Sequence, residues 1–186
     1  MHLIFLGPPG VGKGTQAKRI CDRFDIIHLS TGEILRTEIA VQSNIGNQAK
    51  LFIDKGKLVP DNVLLDIIDN RLKNNDVQKG YLLDGFPRTI PQAEGLEKIM
   101  KELSHSLKAT VSLSTNEDEL VQRLINRSLE SGRSDDAQDL IRQRQKVFWE
   151  RTAPLLDFYQ SKNLLKEVNG VGEISKITER ILEVLI

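Results

Sequence analysis

A doubly wound α/β fold, with helices on both faces of a parallel sheet, follows from three features of the sequence. Short apolar runs alternate with amphipathic stretches, which is the pattern of βαβ units. A glycine-rich turn stands directly between the first apolar run and the first helical segment. The chain has 186 residues, 39% of them hydrophobic, enough for one domain with a sizeable core and room for inserts.

The strands are expected near 2–6, 80–84, 109–113 and 164–168. Residues 13–24 carry a clear helical phase: Ala17, Ile20, Cys21 and Phe24 recur at i, i+3, i+4 and i+7, while Lys18, Arg19, Asp22 and Arg23 point elsewhere. Cys21 is therefore a packing residue. As the single cysteine it forms neither an internal disulfide nor a zinc cluster, which fits a reducing cytoplasmic setting without structural zinc. More than 70 residues separate the first two strong strands, too many for one crossover helix. Gly46, Gly56 and Pro60 punctuate them into at least three helices, and the surplus predicts an inserted subdomain over about 30–59. Phe148, Trp149, Leu155, Leu156 and Phe158 read as core or helix packing. Ile174, Ile177, Ile181, Leu182 and Leu185 form one stripe of a closing helix over 173–186.

Charge removes several function classes. With 26 basic against 26 acidic residues the formal net charge is zero, so no broad footprint for nucleic acid or anionic lipid is expected. The N-terminal run Leu3 to Leu6 lacks a basic flank and is too short for export or membrane spanning. His2, His28 and His105 share no metal-ligand spacing and read as strand or surface histidines.

Gly7-Pro8-Pro9-Gly10-Val11-Gly12-Lys13 satisfies the GxxxxGK spacing of a P-loop. Its glycines let backbone N–H groups converge on phosphate oxygens at a helix N-terminus, and Lys13 adds a positive charge. Gly14 follows where the general motif has the Ser or Thr that holds magnesium, with Thr15 one place later. The ion is therefore expected to rest mainly on nucleotide phosphates and water.

Tyr81-Leu82-Leu83-Asp84-Gly85-Phe86-Pro87-Arg88 ends a strand with an acid. Carboxyl ends of adjacent parallel strands share one crevice, so Asp84 would face the loop and orient magnesium-bound water; it also reads as a turn former before Gly85. The Arg88 fork suits a terminal phosphate, or else surface solvent. Ser30-Thr31-Gly32-Glu33 is a capping-box helix start that needs no ligand, yet Arg36 within that helix is placed to reach a second anion.

Six of the twelve arginines, Arg123, Arg127, Arg133, Arg142, Arg144 and Arg151, fall within 123–151, where even spacing would place about two. Such clustering predicts a helical hairpin folding over a triphosphate, since phosphoryl transfer asks for fixed positive charge. For each arginine singly, pairing with Glu130, Asp135, Asp136 or Asp139 in solvent is an equal reading. Asp135 and Asp136 also read as acids at a helix N-terminus.

Four motifs in order, GPPGVGKGTQ at 7–16, STGEILR at 30–36, DGFPRT at 84–89 and SGRSDD at 131–136, resemble the adenylate kinases of the nucleoside monophosphate kinase family. The likeness covers essentially the whole chain and includes Gly14-Thr15, the family's own form of the loop. It implies a three-layer P-loop α/β/α core of about five parallel strands at 1–29, 60–125 and 136–186. A nucleoside-monophosphate-binding insert at 30–59 and a short lid at 126–135 complete the fold. It also implies reversible, Mg2+-dependent phosphoryl transfer from ATP to AMP, giving two ADP, by a cytoplasmic monomer.

By that resemblance Gly10, Val11, Gly12, Lys13, Gly14 and Thr15 would bind ATP phosphates, Arg123 would lie against the adenine, and Arg127 would assist from the lid hinge. Arg36 and Arg88 would hold the AMP phosphate beside Gly85. Thr31, Gln92 and the backbone of Lys57, Leu58 and Val59 would read the AMP base. Arg133 and Arg144 would neutralise the transferring group between the nucleotides, with Lys13, Arg88 and Arg123 completing the catalytic set. Asp84 would position Mg2+ through water, and Asp135 and Asp136 would help latch the lid. The short, cysteine-free lid implies no structural zinc. A UMP-CMP kinase resembles SAGD and FPRN where this chain has Thr31 and Thr89, and a non-catalytic nucleotide switch has no need of acceptor-side arginines. AMP is the favoured acceptor.

Overall fold

The computed structural model describes residues 1–131 and 138–186. A five-stranded parallel sheet has the order β2-β3-β1-β4-β5. Its strands are β1 (His2–Leu6), β2 (Ile27–Ser30), β3 (Tyr81–Asp84), β4 (Leu107–Ser114) and β5 (Leu165–Asn169). Four lie within a few residues of their expected positions. The fifth, β2, was not anticipated, because it is a four-residue edge strand, Ile-His-Leu-Ser, with only Leu29 fully buried. So short a run beside a capping serine carries little periodic signal.

Strand alternation builds two cores. Ile4 and Leu6 of β1 point to one face, against Leu64, Ile68 and Leu72 of α4 (Asp61–Leu72) and Ala93, Leu96 and Met100 of α5 (Ile90–Glu102). Leu3 and Phe5 point to the other, against Ala17, Ile20 and Cys21 of α1 (Lys13–Phe24) and Ile177, Ile181 and Leu185 of α9 (Ile174–Leu185). Each fully buried Leu or Ile contributes about 1.5–3 kcal/mol, so the two layers hold β1 rigidly at the sheet centre. β1 pairs β3 on one side and β4 on the other, and the loop leaving it opens where the winding direction of the sheet reverses.

The insert is helical: α2 (Thr31–Ala40) is capped by Ser30, whose hydroxyl accepts from Glu33 N–H at 3.3 Å. Ser43 caps α3 (Asn44–Ile53) in the same way, at 2.9 Å from Gly46 N. Gly46 is thus not the punctuation its sequence position implies. It lies in the first turn of α3, where a Cβ would collide with the Glu38 carbonyl, and its missing side chain lets the two helices touch.

Two further expectations are corrected. Ile174 opens α9 but is 52% exposed; the stripe is carried by Ile177, Ile181 and Leu185. Trp149 is 59% exposed. It sits in a π-helical turn (Phe148–Thr152) between α7 (Gln138–Val147) and α8 (Pro154–Gln160), and this widened turn directs Phe148 and Thr152 inward and Trp149 outward. Of the lid expected at 126–135, residues 126–131 belong to α6 (Glu117–Ser131) and the rest lies outside the described residues, as do Arg133, Asp135 and Asp136. Cys21 is buried as expected, and that burial, aided by nearby Asp22 and Asp84, pushes its thiol up to about 12. No helix among the described residues is long and apolar enough to cross a membrane.

Tyr159 on α8 is 1% exposed, and among the described residues its hydroxyl has no hydrogen-bond partner. Tyr159→Phe removes an unpaired buried polar group at nearly constant shape, so chemical denaturation should show stability unchanged or raised by up to about 1 kcal/mol. At the opposite end of the sheet from the β1 loop, the His2 and His105 rings stack 4.5 Å apart beside Tyr81. Burial lowers both histidine pKa values below 6.5; for His2 a hydrogen bond to the Ser106 carbonyl opposes this, whereas the charges of His105 and the N-terminus add to it, as the N-terminus does for His105. On acidification the unfolded chain takes up these protons first. Stability is therefore fully present above pH 6.5 and falls as the pH drops through the window beneath it. Melting temperatures measured from pH 8 to 5.5 should decline less steeply in His105→Gln than in the parent.

Candidate active site

The loop after β1, the end of β3, the insert and α7 enclose one cavity of about 740 Å3. Gly10 (φ +90°) and Gly12 (φ +97°) hold the loop in backbone conformations disfavoured for other residues, and a Cβ on Gly10 would lie 2.8 Å from the Leu120 carbonyl. Gly12 is the N-cap of α1, so the helix starts at Lys13 with its N-terminal N–H groups toward the cavity. Lys13 curls back over the loop, its Nζ donating to the Gly7 carbonyl at 2.6 Å and the Pro8 carbonyl at 3.0 Å. Val11, Gly14 and Thr15 complete this wall.

Asp84 ends β3 in register with Phe5 of β1 and Ser30 of β2, so three strands deliver it to the crevice. Its Oδ2 lies 3.3 Å from His28 Nε2 and 3.5 Å from where a Cβ on Gly14 would stand. Burial alone would raise the Asp84 pKa. The His28 hydrogen bond and the charges of Lys13, His28 and Arg88 outweigh it and hold the carboxyl below its ordinary range. Asp84 is accordingly an ionised group on the cavity wall rather than only a turn former.

Arg88 also lines the cavity. Its Nε donates to the Gly85 carbonyl at 2.7 Å, and its own carbonyl accepts from Thr152 Oγ1 at 2.9 Å. Facing it, the insert contributes Thr31, Arg36, Lys57, Leu58 and Val59. Thr31 donates to the Asp84 carbonyl at 3.4 Å, and the Arg36 guanidinium folds over Gly32. On the remaining side Arg123 of α6 braces the loop, donating to the carbonyls of Val11 at 3.1 Å and Gly170 at 3.2 Å while pairing with Glu119. Arg144 of α7 lies against Gly56 at the end of the insert.

Most residues singled out in the sequence therefore share this one cavity. Gln92 does not line it: the side chain is fully buried and bonded to Asp61 and to Arg88 N–H. The cationic cluster is divided. Arg123 and Arg144 face the cavity, whereas Arg142 and Arg151 are exposed and lie off it. The Arg127 side chain and Arg133 lie outside the described residues.

Sequence reasoning missed four contributors. His28 was read as an uninvolved histidine, but it sits on the unanticipated β2 and touches Asp84. Phe148 and Thr152 reach the wall through the π-helical turn, which leaves no periodic signature. Gln145 tethers α7 to the loop, donating to the Pro9 carbonyl at 3.0 Å.

A family model described as adenylate kinase matches residues 5–164. The adenylate kinase of Synechococcus sp. (strain CC9902) is 47% identical over 184 residues, 99% of this chain and 98% of that protein. That of Stenotrophomonas maltophilia (strain K279a) is 44% identical over 182 residues, 98% of this chain and 97% of the relative. That of Nocardioides sp. (strain ATCC BAA-499 / JS614) is 44% identical over 185 residues, covering 100% and 97%.

Proposed function

This chain belongs to the adenylate kinase family, and from that premise we propose how its cavity divides the work of moving the terminal phosphoryl group of ATP onto AMP, giving two ADP. The observation that carries the division is that Lys13, Arg36, Arg88, Arg123 and Arg144, drawn from five segments of the chain, line a single hollow. The donor triphosphate takes the end built by the glycine loop, where backbone N–H groups and Lys13 face the phosphates and Arg123 lies beside them. AMP takes the end built by the insert, its phosphate between Arg36 and Arg88 and its base toward Thr31 and 57–59. Arg144, with Arg127 and Arg133 from the lid, neutralises the group in flight. Such transfer spreads charge over equatorial oxygens, so fixed guanidiniums supply most of what the transition state needs.

Magnesium fits this donor set. Asp84 is ionised beside Gly14, and among the described residues no three His, Cys, Asp or Glu gather into a cage. One carboxylate acting through water, with nucleotide phosphates as the other ligands, is the arrangement Mg2+ favours. When bound it offsets phosphate charge; His28 and Lys13 keep the Asp84 carboxylate deprotonated and oriented.

The insert and the arginine-bearing α7 close over both nucleotides, excluding water that would otherwise hydrolyse ATP. The close approach of α7 to the insert supports this reading: Gln143 and Arg144 lie 3.3 and 3.5 Å from where a Cβ on Gly56 would stand. A coupled assay with ATP and AMP, UMP or CMP in turn tests the function. AMP should be preferred clearly, because a mismatched base leaves buried polar groups unpaired. Equal rates with UMP or CMP would overturn the acceptor assignment, and absence of turnover with all three would overturn catalysis.

A further inference from the structure

Asp61 is the first residue of α4, where the chain re-enters the core from the insert, and it is not part of the cavity wall. Its Oδ1 accepts two hydrogen bonds, from Thr89 Oγ1 at 3.0 Å and from Gln92 Nε2 at 2.7 Å. The Gln92 amide in turn presents Oε1 to the backbone N–H of Arg88 at 2.7 Å. The direction of this relay is fixed by elementary chemistry. A main-chain N–H only donates and a carboxylate only accepts, so one orientation of the amide serves both neighbours. Thr89 and Gln92 are 4% and 0% exposed, so water does not substitute for either contact. With Thr152 holding the Arg88 carbonyl, the main chain of Arg88 is gripped from two sides while its guanidinium faces the cavity.

We propose that Asp61 is a positioning residue for Arg88, acting through Gln92 without touching substrate. The proposal rests on the acceptor-side reading of Arg88. Without Asp61, two buried donors, the Thr89 hydroxyl and the Gln92 amide, lose their acceptor. The amide is then drawn to rotate toward another acceptor, which releases the Arg88 N–H and loosens the guanidinium. Phosphoryl transfer is sensitive to such displacement because the reacting groups must be held in line. Because Asp61 follows the insert directly, it also ties the root of the insert to the arginine that faces it. A competing role, as a plain negative charge at the α4 N-terminus, depends on charge rather than on hydrogen-bond acceptance.

Asp61→Ala and Asp61→Asn separate these roles, with KM measured for each nucleotide and hydrogen exchange measured at the Arg88 amide. Asp61→Ala should raise KM for AMP about tenfold and leave KM for ATP within about twofold, the size of effect expected for one charge-assisted hydrogen bond. Asp61→Asn keeps an oxygen in place and should stay near the parent. The Arg88 amide should exchange faster in Asp61→Ala than in the parent or Asp61→Asn. Equal damage in both variants, parallel rises in both KM values, or unchanged exchange at Arg88 would each overturn the proposal. If Asp61→Ala does not fold, Gln92→Met interrupts the same relay and must accelerate exchange at Arg88; retained protection there overturns it equally. Absence of AMP turnover in the parent chain would remove the acceptor reading, while exchange at Arg88 would still decide whether Asp61 holds its main chain.

Discussion

Replacing Lys13 with methionine should lower kcat about 100- to 1000-fold, the range seen when one preorganised transition-state donor is removed. The side chain keeps its length and loses its charge. Lys13 Nζ sits over the Gly7 and Pro8 carbonyls, within the loop rather than out in solvent, so its charge is placed before substrate arrives. In the transition state negative charge develops on the phosphoryl oxygens, and a fixed cation beside them costs no reorganisation at that moment. Lys13 also helps hold Asp84 ionised, so the variant weakens the carboxylate opposite as well. Circular dichroism should show a folded protein, because β1 and α1 are held by the buried Leu3, Phe5, Ala17 and Ile20 rather than by Lys13. Parent-like kcat in Lys13→Met would remove the loop from the chemistry.

Arg88→Ala should raise KM for AMP about 10- to 100-fold while changing KM for ATP far less, since hydrogen bonds to a charged group are each worth roughly 1.5–3 kcal/mol. Turnover should fall too, because a loosely held acceptor seldom lies in line with the donor. The asymmetry follows from geometry. Arg88 leaves β3 past Gly85 on the side facing the insert, with Nε tied to the Gly85 carbonyl, whereas Lys13 and Arg123 brace the loop across the cavity. Initial-rate kinetics with each nucleotide varied in turn provide the check. Equal weakening of both would contradict two separate anion sites.

The parallel sheet and the loop were legible in the sequence because β1 is an uninterrupted apolar run and α1 keeps a strict apolar stripe up to Cys21. Both signals reflect burial on a sheet or helix face, which periodicity reports well. Features governed by local geometry were less visible. β2 is an edge strand with one fully buried residue, so its alternation is too weak to detect, and His28 was lost with it. Gly46 serves close helix contact rather than chain reversal, two uses that look alike in one dimension. Trp149 read as core or helix packing, whereas the π-helical turn turns it to the surface. The arginine cluster illustrates the same limit: density along the chain did not separate Arg123 and Arg144 on the wall from Arg142 and Arg151 outside it. Asp61 gave no signal at all, since its relay to Arg88 joins residues 28 and 31 positions away.

One hollow holds donor and acceptor end to end. An analogue in which two adenosines are joined through a chain of phosphates long enough to occupy both ends tests it directly, by inhibition kinetics with binding stoichiometry. One molecule should bind per chain, competing with both ATP and AMP. Competition against ATP alone, or two molecules bound per chain, would contradict it.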